Sequence, residues 1–387
     1  QGAFLAGEIA YWRTKLAGIP EVLALPTDRP RPPVQTYRGA SVAGVLDAGL
    51  TRNLRELGQS AGTTLYMTLL AGFAILLGRY STLSDVVVGT PVANRPRTEM
   101  EGLIGLFINT LAVRVDLSGD PTVRTVLDRV RLTGMEALEH QELPFEQLVE
   151  ELRPARALSY SPLVQVSFQL RAPTERIEAA GLTLIPVEQE ETSAKFDLSL
   201  TVQERAADLA VFWNYNPDLF DAATIGRMMG HYRVLLTGMA AAPDAPVPDL
   251  AMMDADERRA VIHAPNRTRV DYPRERTVPD LFDDTAARVP HRVAVRFGDQ
   301  DITYAALRAR ADALAAHLRT LGVGPETRVA LCVERSAEMA VALLAILKAG
   351  GAYIPLDPAY PPDRLALVID DAGPALAITQ RHLRSLF

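Results

Sequence analysis

The spacing of hydrophobic residues predicts helices throughout the first 240 positions. In GEIAYWRTKLAG (7–18), Ile9, Trp12 and Leu16 fall on one helical face. The same spacing predicts further helices over residues 50–62, 64–80, 121–140 and 221–239, the last one capped by Asp221. A proline-rich connector, LPTDRPRPP (25–33), separates the first helix from the first predicted strand.

Alternating or continuous apolar runs predict strands between these helices. The predicted strands are YRGASVAGVL (37–46), DVVVGTPV (85–92), FINTLAVRVDL (107–117), LVQVSFQLR (163–171), LTLIPVEQE (182–190), KFDLSLTVQE (195–204) and DLAVFWNYN (208–216). Helices mixed with this many strands indicate an α/β or α+β sandwich.

The pattern changes after a second proline-rich stretch, AAPDAPVPDL (241–250), which is typical of an interdomain linker. From about Val278, strands and helices alternate regularly to the end of the chain. Such alternation predicts a parallel sheet with helices on its faces, and we expect RVAVRF (292–297) to be one of its strands.

Composition narrows the possible partners. The chain has 387 residues and a net charge of −7, which argues against nucleic acid as a partner because phosphate binding needs a basic surface. Its single cysteine, Cys332, allows neither an internal disulfide nor a cysteine metal cluster, so a reducing, cytoplasmic setting is expected. The longest apolar runs fall short of the roughly 18 residues that suggest a membrane span, and no signal peptide is visible.

Three segments are candidates for a site, although each has an ordinary structural interpretation. IGLFINTLAVRV (104–115) places Asn109 between apolar strand residues, where an asparagine is usually solvated or bonded locally. HQELPFEQLVEEL (140–152) has Pro144 and carboxylates at a helix start, which is a normal helix N-terminus. RALSYSPLVQVSFQL (156–170) is a loop that enters a strand.

In this order and spacing, the three segments resemble the second half of a condensation domain of nonribosomal peptide synthetases. AKFDLSL (194–200) and NYNPDLFDAATI (214–225) extend the resemblance. The resemblance implies a chloramphenicol-acetyltransferase-like α/β fold of two lobes, which joins two thioesters carried on phosphopantetheine arms in a tunnel between the lobes. It implies that Asn109 lines the tunnel and that Gln141, Pro144, Phe145 and Glu146 shape the adjoining structure.

The chain departs from this family at the catalytic motif. The family's His-His-x-x-x-Asp-Gly motif lies on the first lobe and does not occur here, since no two of the six histidines are adjacent. Amine attack on a thioester needs a base or a positioning group near the nitrogen. His140 lies in the wrong motif to replace it, and we expect it to be a surface or hinge residue.

LKAGGAYIPLDP (347–358) resembles an early core motif of the adenylation domains that follow condensation domains, and DITYAALRARADALAAHL (301–318) resembles an earlier one. The glycine pair allows a sharp turn from a helix into a buried strand. We therefore expect a structural, not catalytic, role for this motif, which comprises Lys348, Gly350, Tyr353, Pro355 and Asp357. No Ser/Thr/Gly-rich phosphate loop with a lysine occurs in the 387 residues.

The resemblance implies three parts: the C-terminal lobe of a condensation domain (1–240), a linker (241–276) and the beginning of an adenylate-forming, acyl-CoA-synthetase-like parallel-sheet domain (277–387). We expect an internal part of a multimodular synthetase for secondary metabolites such as antibiotics, inactive by itself. The longer enzyme would be a ligase that uses ATP, Mg²⁺ and phosphopantetheine. Its partners would be carrier domains, an amino acid, the missing lobe and the rest of the adenylation domain, with no nucleic acid or membrane.

Two alternatives are a catalytically dead docking module for carrier proteins and a standalone acyltransferase of the same fold.

Overall fold

A computed structural model describes residues 2–95, 97–154, 157–173, 177–179, 182–184 and 191–387. The chain divides into two compact units, Gln1–Arg267 and Thr268–Phe387. No single helix in the described part of the chain is long and apolar enough to cross a membrane, and the helices Ala48–Ser60 and Leu65–Ser81 reach that length only as a pair bent by 102°.

The helices predicted for the first unit are present. They are α1 (Gly2–Lys15), α2 (Ala48–Ser60), α3 (Leu65–Ser81), α4 (Val123–Glu139), α5 (Phe145–Leu152) and α6 (Ala222–Ala241), and a further helix, α7 (Ala255–His263), follows them. Side-chain oxygens of Asp47, Thr64 and Thr122 cap α2, α3 and α4, which explains where these helices begin. Helix α3 is buried along most of its length and forms the centre of the helical layer.

In the described residues, six strands of the first unit form one mixed sheet in the order β1-β8-β7-β4-β2-β3. Its strands are β1 (Ala40–Leu46), β2 (Asp85–Val92), β3 (Asn109–Asp116), β4 (Val166–Arg171), β7 (Leu198–Glu204) and β8 (Leu209–Tyr215); β5 (Ile177–Ala179) and β6 (Leu182–Leu184) pair separately. The central pairs β7/β4 and β4/β2 are parallel, and the others are antiparallel. The core between helices and sheet contains Phe73, whose ring lies 5.9 Å from that of Phe168 and 5.8 Å from that of Trp213.

Two strand predictions differ from the structure. Asn109 is the first residue of β3 and does not lie between strand residues, because the β2/β3 ladder ends at Asn109 and Leu106 and Ile108 before it are exposed. Of the strand predicted over 182–190, only Leu182–Leu184 is described as a strand, and residues 185–190 lie outside the described residues.

Asp221 occupies the N-cap position of α6, as predicted, but its side chain does not cap the helix. Its carboxylate instead accepts a bond from Arg29 at 2.5 Å, while Asp28 accepts the N–H of Asp221 and the hydroxyl of Thr224. The bond from the Asp221 N–H holds the pKa of Asp28 below its usual range. Asp28 thus stabilises the unit above its unfolded-state pKa, and this contribution is lost as the pH falls through the lower folded-state value.

The predicted linker over 241–276 is ordered in its first part. Val247 and Leu250 are buried in the core of the first unit, and the guanidinium of Arg79 donates to the carbonyl oxygens of both residues. The division between the two units lies later, after Arg267. Residues 241–250 therefore belong to the first unit, because two apolar side chains are enough to anchor a proline-rich segment.

Helix α7 is held to the first unit by a relay of polar side chains. The helix buries no residue. Its Glu257 lies 2.9 Å from Nε2 of His231 on α6, and Nδ1 of the same ring lies 2.7 Å from the Tyr80 hydroxyl on α3. We therefore expect the hydrogen bonds among Glu257, His231 and Tyr80 to hold α7 against α6 and α3.

We expect Glu257→Ala to speed tryptic cleavage after Arg258 and Arg259 by about fivefold, because losing about 1 kcal/mol of attachment raises the open population by that factor. Asp256→Ala is the matched control, since Asp256 pairs with Arg259 of the same helix. Mass spectrometry of early fragments measures both rates, and equal cleavage of the two variants would show that the relay does not hold α7.

The second unit contains the predicted helices and a smaller parallel sheet. Its elements are α8 (Val278–Arg288), β9 (Val293–Phe297), β10 (Gln300–Thr303), α9 (Tyr304–Thr320), β11 (Arg328–Cys332), α10 (Ala337–Ala349), β12 (Ala352–Pro355), α11 (Pro362–Ala372) and β13 (Leu376–Thr379). The parallel strands follow the order β12-β11-β13. The prediction for 292–297 is wrong, because β9 pairs antiparallel with β10 across the two-residue turn 298–299 and does not join the parallel sheet.

Candidate functional site

Asn109 is at the centre of the candidate site in the first unit. Its side chain is buried, with 7% exposed. Nδ2 donates to the carbonyl oxygens of Gln141 (2.9 Å) and Leu143 (2.8 Å), while Oδ1 accepts the N–H groups of Phe145 (3.0 Å) and Thr110 (2.9 Å). An asparagine amide has two donor hydrogens and two acceptor lone pairs on its oxygen, so this amide is fully used by backbone groups.

The Asn109 oxygen also serves as a distant helix cap. Helix α5 begins after Pro144, which has no side-chain oxygen to offer the first N–H groups. The N–H of Phe145 therefore finds its acceptor on β3, 36 residues earlier in the chain. Asn109 thus fixes the start of α5 and the loop before it to the edge of the sheet.

The other predicted site residues lie around this anchor without joining it through their side chains. Gln141 takes part through its carbonyl oxygen and Phe145 through its N–H, and both residues are half-buried. Pro144 and Glu146 are exposed, and Glu146 adds a carboxylate to the first turn of α5, where the helix dipole favours it.

His140 is half-buried, with 30% of its side chain exposed, and the expectation of a surface or hinge role stays a prediction. Its Nδ1 lies 2.8 Å from the carboxylate of Glu8, which is buried, and its ring stacks on that of Tyr11 with centroids 3.8 Å apart. The indole of Trp12 donates to the His140 carbonyl oxygen at 3.0 Å. These contacts bind α1 to the same loop that Asn109 holds.

Glu8 and Tyr11 were not identified from the sequence. One signal was available, because Glu8 precedes Trp12 by four residues and therefore lies on the buried face of α1. A charge in that position needs a partner inside the fold. Burial, followed by the negative charge of Glu136, raises the pKa of Tyr11 to about 12.

The loop that leads to Asn109 carries an exposed apolar surface. The large side chains of Leu103, Ile104, Leu106 and Ile108 are all exposed to solvent, and the ring of Phe107 lies 4.3 Å from the Arg95 guanidinium. Contiguous exposed apolar residues of this size are typical of an interaction surface.

In the second unit, the predicted motif forms a tight junction between α10 and β12. Gly350 caps α10 with φ at +91°, a conformation that favours glycine. A Cβ on Gly351 would lie 2.7 Å from the Val323 side chain, so the chain passes too close to its neighbour for any larger residue. Pro355 is the last residue of β12.

Of the remaining motif residues, Lys348 forms ion pairs, and Tyr353 and Asp357 lie at the edge of the parallel sheet. The side chain of Lys348 is 7% exposed, and its ammonium group lies 2.6 Å from Asp283 and 2.5 Å from Asp312, which joins α8, α9 and α10. Tyr353 and Asp357 line a cleft of about 620 Å³ at the carboxyl ends of the parallel strands, which is where ligands bind in open α/β sheets.

Comparison with known proteins gives two family matches. The model described as "Condensation domain" matches residues 4–262, and the model described as "AMP-binding enzyme" matches residues 282–386. A linear gramicidin synthase of Brevibacillus parabrevis is 47% identical over 99% of the chain, and surfactin synthase subunit 1 of Bacillus subtilis is 38% identical over 97%. The chain spans only 5% and 10% of the length of these two relatives.

Solved structures agree with these matches. A four-domain nonribosomal peptide synthetase bound to AMP and glycine superposes with a TM-score of 0.84 at 27% identity, covering 97% of this chain and 30% of that one. The X-domain from teicoplanin biosynthesis is 33% identical, with a TM-score of 0.59 over 64% of this chain and 57% of that one.

Proposed function

Since the chain belongs to the condensation-domain family and continues into the start of an AMP-binding domain, we propose that it forms one wall of a peptide-bond-forming site in a nonribosomal peptide synthetase. Its second unit would then be the first part of the domain that activates the next amino acid. The observation that carries this proposal is the Asn109 anchor, which uses its whole amide to order the loop 140–145 beside an exposed apolar loop.

The reaction sets the requirements for such a site. The amine of one carrier-bound aminoacyl thioester attacks the carbonyl carbon of a second thioester, a C–N bond forms, and the C–S bond breaks. The departing thiolate takes up the proton that the amine loses. Holding both thioesters in register is the largest contribution that a rigid wall can make to this step.

No His-His-x-x-x-Asp-Gly sequence occurs in the 387 residues, so the proposal assigns the proton-handling group to a separate lobe that bears this motif. We propose that a lobe bearing that motif packs against the exposed apolar residues 103–108 and completes the site. In this arrangement Asn109 and His140 position the wall.

The residues present do not fit a complete nucleotide site. The described part of the chain contains no group of three His, Cys, Asp or Glu side chains that could hold a metal ion, and the sequence contains no Ser/Thr/Gly-rich phosphate loop. Lys348 and its two aspartates, together with Gly350 and Gly351, would act as scaffold.

Carrier domains with phosphopantetheine arms, an amino acid, the His-motif lobe and the rest of the adenylation domain are the proposed partners. The cytoplasmic location and the domain limits 1–240, 241–276 and 277–387 stay predictions. A docking module that only binds carriers is the remaining alternative, favoured by the missing motif.

We expect the 387-residue chain to form no peptide between two loaded carriers and to catalyse no amino-acid-dependent pyrophosphate exchange. Joining it to a His-motif lobe should restore peptide formation in single-turnover assays with preloaded carriers, and should leave pyrophosphate exchange at background. Peptide formation by the chain alone would contradict the proposal. Carrier binding without peptide formation after joining the lobe would favour the docking module.

A further inference from the structure

The loop 140–145 is held from two sides. On one side is β3, where the Asn109 amide donates to the carbonyl oxygen of Gln141 at 2.9 Å. On the other side is α1, where the Trp12 indole donates to the carbonyl oxygen of His140 at 3.0 Å. The two carbonyls belong to consecutive residues, so β3 and α1 fix neighbouring peptide groups of the same loop. The position of the loop therefore depends on α1 as well as on Asn109.

Glu8 of α1 binds the side chain of His140. The Glu8 side chain is 6% exposed, and its Oε1 lies 2.8 Å from Nδ1 of His140. An ionised carboxylate can only accept hydrogen bonds, so Nδ1 carries the proton of this bond. The Tyr11 ring stacks on the imidazole with an angle of 15° between the two planes. Stacking leaves the imidazole free to turn within its own plane, and the bond to Glu8 removes that freedom.

The Glu8–His140 pair leaves a buried polar atom unpaired. The second carboxylate oxygen of Glu8, Oε2, is buried and has no hydrogen-bond partner in the part of the chain that the structure describes. An unpaired buried carboxylate oxygen lowers the stability of a fold. Apolar side chains of similar volume often replace buried ion pairs without loss of stability. Stability therefore does not explain why a glutamate stands at this position.

Helix α1 has other ion pairs that attach it to the first unit. Lys15 lies 2.7 Å from Glu136 on α4, and Arg13 lies 3.0 Å from Glu151 on α5. These two pairs reach the helices that precede and follow the loop, whereas Glu8 reaches the loop itself. Glu8 is thus not needed to attach the helix, and its bond acts on the loop.

We propose that Glu8 is a positioning residue for peptide-bond formation, which fixes His140 and thereby the loop 140–145 that Asn109 anchors. Its role in the reaction rests on the proposed function, whereas its effect on the loop does not. A loop that is bonded on both sides keeps one position while two thioesters react beside it. Position matters here, because a displacement of about 1 Å in such a site can slow a reaction roughly a hundredfold.

Two substitutions of similar size test this role. Glu8→Met removes both the buried charge and the acceptor, and the half-buried His140 can then bond to water. Glu8→Gln removes the charge but keeps an oxygen that can accept from Nδ1. Glu8→Met should unfold at a urea concentration no lower than the unchanged chain, because it buries no unpaired charge. A role in packing alone would give the two variants the same loop.

Amide hydrogen exchange of residues 140–145 in the 387-residue chain measures the loop directly. We expect Glu8→Met to speed this exchange about fivefold, as one lost hydrogen bond does, and Glu8→Gln to change it less than about twofold. In the chain joined to a His-motif lobe, single-turnover peptide formation at saturating loaded carriers should fall about tenfold in Glu8→Met and less than about twofold in Glu8→Gln.

Arg13→Met is the matched control, because it breaks the exposed pair with Glu151 on the same helix and leaves the bond to His140 in place. It should change both rates by less than about twofold. On the unchanged protein, ¹⁵N spectra of the histidine-labelled chain should show a proton on Nδ1 of His140. An unprotonated Nδ1 would overturn the proposal, and this measurement does not depend on the folding of any variant.

Equal hydrogen exchange in Glu8→Met and Glu8→Gln would overturn the proposal. So would equal peptide formation by the two variants, or a Glu8→Met chain that unfolds at lower urea or does not fold, because Glu8 would then serve stability alone. If the variants differ in exchange but the unchanged chain joined to the lobe forms no peptide, the proposed function fails and the effect of Glu8 on the loop stands. If the joined chain forms peptide and the variants exchange alike, only the role of Glu8 fails.

Discussion

Asp197→Ala should lower the free energy of unfolding of the first unit by about 1–3 kcal/mol, since it leaves the half-buried Arg31 guanidinium without its carboxylate and with the Ser159 carbonyl oxygen as an acceptor. The Asp197 carboxylate is 5% exposed and receives two bonds from the Arg31 guanidinium, at 2.8 and 2.5 Å. These bonds raise the pKa of Arg31, so the guanidinium stays charged. The pair ties the proline-rich segment between α1 and β1 to the start of β7.

Urea unfolding followed by tryptophan fluorescence measures this effect, because Trp12 and Trp213 are both buried in the first unit. The control is Glu204→Ala, which breaks the exposed pair with Arg55 and should cost less than about 1 kcal/mol. The double change Arg31→Met with Asp197→Leu should recover part of the loss, because neither charge is then buried. Equal losses for Asp197→Ala and Glu204→Ala would show that the buried pair contributes no more than a surface pair.

The secondary-structure elements that could be predicted from the sequence are those determined by residues close together in the chain. Helix α3 results from its apolar spacing and its Thr64 cap, and the junction at Gly350 and Gly351 results from the needs of a sharp turn. Each depends on residues a few positions apart, so a pattern in one window was enough to find it.

Contacts between distant residues could not be predicted in the same way. Arg31 and Asp197 are 166 positions apart, and Glu8 and His140 are 132 positions apart. Their pairing depends on which strands and helices become neighbours, and a single sequence does not contain that information. The error at β9 is different, because the short connection at Gly298 was a local hairpin signal that the regular alternation of strands and helices outweighed.

At the candidate site, Asn109 itself could be identified from the sequence, but its hydrogen-bond partners could not. Asn109 was identified through a family resemblance, and its role as a tunnel residue stays a prediction. Its hydrogen bonds were not foreseeable, since the partners lie 32 to 36 residues later and Pro144 makes the distant cap necessary. An asparagine is suited to this place because it offers two donors and an acceptor from one short, uncharged side chain.

Asn109→Ala should therefore open the loop 140–145 and should lower peptide formation tenfold or more in the chain joined to a His-motif lobe. The change leaves the carbonyl oxygens of Gln141 and Leu143 and the N–H of Phe145 without their partner. At about 1 kcal/mol for each lost bond, amide hydrogen exchange in the loop should speed up by roughly a hundredfold.

Asn109→Asp separates the two halves of this network. It keeps an acceptor for the N–H of Phe145 but places a second oxygen against the carbonyls of Gln141 and Leu143. Repulsion between these oxygens should make it nearly as damaging as Asn109→Ala, both in hydrogen exchange and in single-turnover peptide formation. Gln141→Ala is the matched control, because it removes a side chain from the same loop and keeps the carbonyl that Asn109 binds. Loss of activity in Gln141→Ala equal to that in Asn109→Ala would mean that the loop surface matters and the anchor does not.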